Sequence, residues 1–211
     1  MSSVFAVRVW AAGDTAKTTR DILQQKLLGD PGAFGTGLIP AATLVETRAK
    51  AGIPDAIEIV RVRHATGGLS QLLLKSYDQR REAFQGTEQD VIWLDEESDE
   101  SIRGECMLRL MTTNGLLIET FTPLKGITKV VMQYLPSGEA VDEVSVTEDK
   151  ALVMAGWDDV PHLGEAEKRR MMSETPPHLR DARSKGIQSL GAGAIYPIPE
   201  SEIVVPEMPI P

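Results

Sequence analysis

The sequence has few of the residues that build disulfide bonds, zinc sites and membrane spans. It contains one cysteine, Cys106, and three histidines, so an internal disulfide is excluded and a zinc site built from cysteine and histidine is implausible. No apolar run approaches the roughly 18 residues that cross a bilayer, and the N-terminus lacks the succession of regions of a signal peptide. We therefore expect a soluble, intracellular protein whose metal ligands are carboxylates, which suit Mg²⁺.

A second absence concerns phosphate binding. Glycines with the GxxxxG spacing of a P-loop occur twice, at Gly32 with Gly37 and at Gly186 with Gly191, but neither pair is followed by Lys-Ser/Thr. No Gly-Lys-Ser/Thr sequence occurs anywhere in the 211 residues. The backbone N–H groups and the lysine that such a loop offers to a triphosphate are therefore not encoded in this chain.

The net charge of −9 argues against a broad basic surface for nucleic acid, although it permits a local basic track. Basic residues do cluster in two charged helices predicted at residues 165–173 and 177–184. Such charge either solvates a helix face or contacts a phosphate, on DNA or in a neighbouring subunit. The basic residues in question are Lys168, Arg169, Arg170, Arg180, Arg183 and Lys185.

Hydrophobic periodicity predicts an α/β protein. Arg103 and Arg109 are expected on the exposed side of the helix predicted at residues 102–111. The proline-rich end of the chain, residues 196–211, is typical of an extended linker. Strands are predicted at residues 4–11, 56–64, 69–75, 91–94, 116–121, 141–146 and 150–157. The remaining helices are predicted at residues 16–28, 41–51, 77–84, 102–111 and 126–135.

The stretch around which the chain is organised is residues 91–97, with the sequence VIWLDEE. Its apolar half predicts a strand of a parallel sheet, buried on both faces. Asp95, Glu96 and Glu97 then follow at the C-terminal end, where open α/β sheets bind their ligands. An acidic residue there can hold Mg²⁺ on a nucleotide phosphate, and the next carboxylate can orient or deprotonate a water. Alternatively, the three acids start the following helix, where negative charge suits the helix dipole.

A second buried strand, at residues 116–121, ends in Thr120 and Thr122. A helix joins it to the first strand, and such a crossover is almost always right-handed, so that the two strands run parallel and end on the same side. A threonine hydroxyl at that edge either senses a nucleotide phosphate or the attacking water, or it caps the next turn.

Five segments resemble, in the same order, the large subunit of the tailed-bacteriophage DNA-packaging terminases, and together they cover most of the chain. The resemblance implies a RecA-like P-loop NTPase fold of three layers with a mainly parallel sheet, here incomplete at the N-terminus. It implies an ATPase that drives viral DNA into an empty capsid, followed in the family by an RNase-H-like nuclease. The segments are RVWAAGDTAKTTRDILQQKLLG, KSYDQRREAFQGT, VIWLDEE, LLIETFTPLKGITKVV and DDVPHLGEAEKRRMMSETPPHLRDARSKGIQSLGAGAIYP.

The resemblance also implies a division of the chain. Residues 1–155 would be the ATPase domain without its P-loop, because the family's Walker A motif lies upstream of the first strand. Residues 156–211 would be a small helical linker subdomain that leads towards a nuclease domain absent from this chain. An incomplete sheet would leave apolar faces and a strand edge unpaired, so we expect low stability or pairing with a separate piece.

Residue roles follow from the matched motifs. Asp95 would be the Walker B ligand of Mg²⁺, Glu96 the carboxylate that activates water, and Thr120 and Thr122 part of the motif that couples hydrolysis to movement; Glu97 is left unassigned. The implied cofactors are Mg²⁺ and ATP, both held weakly without a P-loop. The implied partners are double-stranded DNA, the portal protein, the small terminase subunit and further copies in a ring, in the host cytoplasm and without a membrane.

Three hypotheses therefore stand. The chain is an ATPase motor component that needs a phosphate-binding segment in cis or in trans, or a non-enzymatic remnant or split subunit that acts through protein contacts. The third hypothesis is an unrelated α/β enzyme that uses Asp95, Glu96 and Glu97 for another metal-assisted hydrolysis.

Overall fold

The computed structural model describes residues 6–126, 128–134, 144–147 and 149–187. The chain divides into two compact units, Met1–Phe121 and Thr122–Pro211. The predicted linker at residues 196–211 lies outside the described residues. The predicted boundary between an ATPase domain and a linker subdomain, after residue 155, stays a prediction.

The first unit is built on a six-stranded sheet with the order β2-β3-β4-β1-β5-β6. Strands β4, β1, β5 and β6 run parallel, whereas β2 and β3 add to β4 in antiparallel fashion. This mainly parallel sheet confirms the predicted fold class. The strands are β1 (Arg8–Gly13), β2 (Leu44–Ala49), β3 (Ile57–Arg63), β4 (Leu69–Ser76), β5 (Val91–Asp95) and β6 (Leu116–Thr120).

Helices lie on both faces of this sheet. Successive residues of each strand point to opposite sides, so that apolar residues on each face pack against a different helix. Trp10 and Ala12 of β1 join one buried cluster with the helix α3 (Glu100–Met111), whereas Ala11 joins the other with Leu23. The helical run on that second side comprises α1 (Ala16–Thr18), a π-helical stretch (Thr19–Gln24) and α2 (Gln25–Leu28). The result is a three-layer arrangement.

The second unit contains short elements. Its helices are α4 (Lys129–Tyr134), α5 (Glu165–Glu174) and α6 (Arg180–Lys185), with 3₁₀ turns at Trp157–Asp159 and Pro177–Leu179. β7 (Val144–Val146) and β8 (Ala151–Val153) pair in antiparallel fashion. No helix in the described part of the chain has the length and apolar character that a bilayer crossing requires.

Several members of the basic cluster in the second unit have acidic partners. Lys168 lies 2.7 Å from Asp158 and 3.1 Å from Glu165. Arg170 also pairs with Glu174, and Lys185 with Asp181. These contacts favour the interpretation in which the basic charge solvates and braces the helices.

The helix predicted at residues 41–51 is wrong, because β2 occupies most of this segment. Pro40 as a first-turn residue and Gly52 with Pro54 as the end suggested a helix, but Val45 and Thr47 are β-branched and favour a strand. Pairing with β3 supplies the backbone hydrogen bonds, with Thr47 opposite Val60. Tertiary pairing therefore outweighed the weak local preference.

The helix predicted at residues 77–84 is also wrong. The segment forms two 3₁₀ turns, Tyr77–Gln79 and Arg81–Phe84, separated by Arg80. Arg80 has a φ angle of +62°, in the left-handed region, which interrupts a helix. The break lets Phe84 enter the core, where it is 0% exposed.

The strand of residues 91–94 is not buried on both faces as predicted. Ile92 and Leu94 are fully buried under α3, but Val91 and Trp93, on the opposite face, are only partly buried. On that face the helical run of residues 16–28 packs mainly over β1 and β4, and the partly buried Trp93 packs against the same cluster. This face of β5 therefore remains partly accessible.

Arg103 is not on the exposed side of its helix as predicted. Its Nε lies 2.9 Å from a carboxylate oxygen of Glu119 on β6, and the side chains are 15% and 2% exposed. Arg109 is half-buried and donates to the carbonyl oxygen of Gly86. Each arginine is drawn inward by a polar partner, Glu119 on the sheet for Arg103 and the Gly86 carbonyl oxygen for Arg109. Helical periodicity does not reveal such partners.

Candidate functional site

The carboxyl ends of the parallel strands β4, β1, β5 and β6 meet at one edge of the sheet. Ligands of open α/β sheets bind in the crevice beyond such ends. Tyr77 follows β4, Asp95 is the last residue of β5 and Thr120 is the last residue of β6. This edge therefore gathers the predicted site residues of the first unit.

Asp95 and Thr120 lie directly opposite one another in the parallel register of β5 and β6. The hydroxyl of Thr120 donates to Oδ1 of Asp95 at 2.6 Å, a length typical of a hydrogen bond from a hydroxyl to a carboxylate. The backbone N–H of Glu96 donates to the carbonyl oxygen of Thr120 at 2.8 Å and extends the pairing by one residue. The Thr120 hydroxyl thus donates its proton to Asp95 and does not cap the following turn.

Trp93 adds a third member to this arrangement. Its indole Nε1 donates to the hydroxyl oxygen of Thr120 at 2.9 Å. Trp93 and Asp95 are two residues apart on one strand, so their side chains lie on the same face of the sheet. That spacing is the one signal in the sequence that could have drawn attention to Trp93, which sequence reasoning treated only as a buried strand residue.

Tyr77 was also missed. Its hydroxyl lies 3.0 Å from the carbonyl oxygen of Asp95, 3.1 Å from that of Glu96 and 3.4 Å from that of Ala12. Burial, and after it the negative charge of Asp95, raise the pKa of the Tyr77 phenol well above its usual value. The phenol therefore stays protonated and remains a hydrogen-bond donor to this backbone.

The three consecutive carboxylates have different environments. Asp95 is partly buried, Glu96 is exposed and Glu97 is buried with 8% of its surface exposed. The helix α3 begins only at Glu100, with Asp99 as its N-cap, so the alternative that the three acids start this helix is wrong.

Glu96 has a φ angle of +67°, in the left-handed region that few non-glycine residues adopt. The strand β5 ends immediately before it, and the chain turns there. Such conformations cost free energy and are concentrated at functional sites.

Thr122 is the first residue of the second unit. It is exposed, and its carbonyl oxygen accepts a hydrogen bond from the backbone N–H of Leu124 at 2.7 Å. Its place in the site stays a prediction.

The family described as "Terminase large subunit, T4likevirus-type, N-terminal" matches residues 9–203. The terminase large subunit of Salmonella phage P22 is 30% identical over 202 residues, which are 92% of this chain and 39% of that protein. The terminase large subunit of Enterobacteria phage LP7 is 31% identical over 103 residues, which are 49% of this chain and 20% of that protein. The chain therefore spans less than half the length of these relatives.

Solved structures show the same fold. The large terminase of a thermophilic bacteriophage superposes with a TM-score of 0.59 at 18% identity, covering 100% of this chain and 48% of that one. A second structure of that large terminase, in complex with ADP, gives a TM-score of 0.56 at 16% identity, covering 89% of this chain and 41% of that one. The ATPase domain of the Thermus phage P74-26 large terminase gives 0.56 at 16% identity, covering 87% of this chain and 77% of that one.

Proposed function

The chain belongs to the family of terminase large subunits, and on this premise we propose that it forms part of the ATPase of a viral DNA-packaging motor. In that role it would couple ATP hydrolysis to the movement of double-stranded DNA into a procapsid. The observation that carries the proposal is the pair of Asp95 and Thr120 beside the exposed Glu96, at the carboxyl edge of the parallel strands. From the family, we expect the portal protein, the small terminase subunit and further copies in a ring as partners.

Asp95 is the residue that we assign to Mg²⁺. Proteins commonly hold Mg²⁺ through one or two carboxylates together with phosphate oxygens and waters, and one partly buried carboxylate at a strand end fits that pattern. The hydrogen bond from the Thr120 hydroxyl to Oδ1 would orient this carboxylate when it holds the ion. When bound, Mg²⁺ neutralises charge on the nucleotide phosphates.

Glu96 is assigned to the water. Its exposure to solvent and its position next to Asp95 support this assignment, in which the carboxylate would accept a proton from the water that attacks the terminal phosphorus. Glu97 is buried and receives no role in the reaction.

Thr120 and Thr122 are assigned to coupling. The hydrogen bond from Thr120 to Asp95 supports this role. If the Asp95 carboxylate changed its contacts during hydrolysis, the hydroxyl of Thr120 at the end of β6 would be affected directly. Thr122 follows two residues later, where the chain continues into the second unit. Coupling would therefore use the covalent path from β6 into that unit.

The phosphate-binding loop would come from residues outside these 211, since they contain no Gly-Lys-Ser/Thr. In the described sheet β6 is an edge strand, and its Leu116 and Ile118 are 57% and 40% exposed. An exposed strand edge with apolar residues is a template for a further strand. We expect a strand–loop–helix segment that carries Gly-Lys-Ser/Thr to pair with β6 and to cover the accessible face of β5.

ATP hydrolysis by the purified chain tests the proposal, with and without an added segment that carries Gly-Lys-Ser/Thr. We expect turnover only with the segment, and its loss in Glu96→Gln. Glu82→Gln, which changes an exposed carboxylate in a 3₁₀ turn, is the matched control and should keep full turnover. Turnover without the segment would contradict our account of phosphate binding.

An inactive remnant that acts only through protein contacts has less support. Asp95, Glu96 and Thr120 lie together in an arrangement that hydrolysis can use, whereas protein contacts alone do not require it. If the chain remained inactive with the added segment, the remnant would become the better interpretation.

A further inference from the structure

We propose that Trp93 is a positioning residue for the Asp95 carboxylate and acts through the hydroxyl of Thr120. The inference rests on the magnesium role proposed for Asp95. Two consecutive hydrogen bonds carry it: Trp93 Nε1 donates to Thr120 Oγ1 at 2.9 Å, and Thr120 Oγ1 donates to Asp95 Oδ1 at 2.6 Å.

The two hydrogen bonds have a fixed direction. An indole N–H can only donate, so the Thr120 oxygen must accept from Trp93. A hydroxyl has a single proton, and the carboxylate of Asp95 is a strong acceptor for it. Trp93 therefore holds the Thr120 hydroxyl in the rotamer that sends its proton to Asp95.

The sheet gives this arrangement a rigid base. Asp95 pairs with Thr120 and Trp93 pairs with Ile118 in one continuous parallel register. Neighbouring strands lie about 4.8 Å apart, so the indole reaches Thr120 diagonally along a single face. The paired strands fix the backbone positions, so that only the side-chain torsions are left free. The two hydrogen bonds restrain the torsions of Thr120 and Asp95.

Restraint of the carboxylate matters because the terminal torsion of aspartate is broad. Hydrogen bonds from an outer shell orient metal-binding carboxylates, and their loss typically weakens metal binding about 10- to 100-fold. Removal of the Thr120 hydroxyl should therefore weaken binding about tenfold. Removal of the Trp93 donor, one step further out, should weaken it about fivefold, as expected for one hydrogen bond.

The indole N–H signals in an NMR spectrum of the ¹⁵N-labelled chain test the hydrogen bonds without any ligand. The chain has three tryptophans, and the signal missing in Trp93→Phe identifies that of Trp93. We expect this signal to shift, and its proton to exchange faster with water, in Thr120→Val, which keeps the shape of the side chain. An unchanged signal in Thr120→Val would overturn the inference.

A titration with Mn²⁺ alone, followed by its electron paramagnetic resonance signal, tests the effect on the carboxylate. We expect Trp93→Phe to weaken Mn²⁺ binding about fivefold, and the double variant with Thr120→Val to bind no more weakly than Thr120→Val itself. Trp157→Phe, which removes an indole from the second unit, should bind like the unmodified chain. If Trp93→Phe weakened Mn²⁺ binding equally in the unmodified chain and in the Thr120→Val variant, Trp93 would act through packing and the inference would be wrong.

The two measurements separate this inference from the proposed function. Equal Mn²⁺ binding by the unmodified chain and by Asp95→Asn would remove the magnesium role of Asp95, and with it the positioning role of Trp93 toward a metal ligand. Normal Mn²⁺ binding together with an unchanged indole signal in Thr120→Val would leave the proposed function standing and overturn only the role of Trp93.

Discussion

The hydroxyl of Tyr77 lies 3.0 Å from the carbonyl oxygen of Asp95 and 3.1 Å from that of Glu96. Tyr77 directly follows β4, which is separated from β5 by β1, and the Ala12 carbonyl oxygen of β1 lies 3.4 Å from the same hydroxyl. One phenol thus links the ends of three strands. This link holds the backbone that carries the candidate site.

Tyr77→Phe should lower the free energy of unfolding by about 1 kcal/mol at pH 7, the typical contribution of one hydrogen bond. Phenylalanine keeps the ring contact with Phe84, whose centroid lies 6.4 Å away, so that only the hydroxyl is lost. Urea unfolding of the two proteins measures the difference. No difference would show that the hydroxyl contributes nothing to stability.

Stability should also fall at alkaline pH in a way that depends on Tyr77. Because the pKa of Tyr77 is raised in the folded chain, the folded state keeps this proton above about pH 10, where the unfolded chain releases it. The stabilisation is complete below about pH 10 and is lost as the pH rises through and beyond that value. Urea unfolding between pH 8 and pH 11 should show a shallower decline for Tyr77→Phe. Parallel declines would mean that Tyr77 ionises equally easily in both states.

The ion pair of Arg103 and Glu119 should be sensitive to the loss of either partner. Both side chains are largely buried, at 15% and 2% exposure, so Arg103→Met leaves a buried carboxylate and should cost about 3–5 kcal/mol of stability. The double variant with Glu119→Leu should be more stable than Arg103→Met alone, since it no longer buries a carboxylate that has lost its guanidinium partner. Thermal or urea unfolding measures both effects.

The exposed pair of Arg48 and Glu58 is the matched control for this ion pair. Its side chains are 62% and 41% exposed, so Arg48→Met should change stability by about 1 kcal/mol or less. A loss as large as that of Arg103→Met would contradict the argument from burial.

Glu96→Gly should leave stability unchanged or raise it by up to about 1 kcal/mol, although it removes the carboxylate proposed to activate water. Glycine adopts the left-handed conformation of Glu96 without the cost of about 1–2 kcal/mol that a side chain adds, but it loses more entropy on folding. Gln85→Gly is the control: Gln85 is exposed with a φ angle of −79°, so glycine should destabilise there. Clear destabilisation by Glu96→Gly would show that its side chain stabilises the turn.

Cys106 should report on unfolding of the first unit. It is the single cysteine, it lies fully buried on α3, and burial raises the pKa of its thiol to about 12. Since the thiolate is the reactive form, a thiol reagent at pH 8 should modify the folded chain roughly a thousandfold more slowly than the unfolded chain. Met111→Cys in a Cys106→Ala background places a thiol at a position that is 72% exposed and should react rapidly. Rapid modification of native Cys106 would contradict the packing described for α3.

Much of the first unit could be predicted from its sequence. The strand β5, the helix α3 and the strand β6 were identified within a few residues, because the two strands are short apolar runs that end in polar residues and the segment between them has a helical pattern. The parallel pairing of β5 and β6 was predicted as well, since a crossover helix of this kind leaves few alternatives. Asp95 and Thr120 were therefore expected at one edge before their contact was known.

Local patterns were insufficient where distant residues decided the outcome. The segment at residues 41–51 became a strand because β3 was available to pair with it. Arg103 became buried because Glu119 points towards α3 from the sheet. In both cases the deciding partner belongs to a different element of the fold, and the periodicity within one element does not reveal it.

The sequence by itself determined those elements that have clear local signals, such as β5, α3 and β6, together with the acidic end of β5 and the absence of a Gly-Lys-Ser/Thr loop, since each of these depends only on neighbouring residues. The tertiary structure alone decided which polar groups meet at the carboxyl edge. Thr120 is 25 residues from Asp95, and Tyr77 is 18 residues from it. Strand order and register bring them within hydrogen-bonding distance, and these follow from the packing of the whole sheet rather than from any single segment.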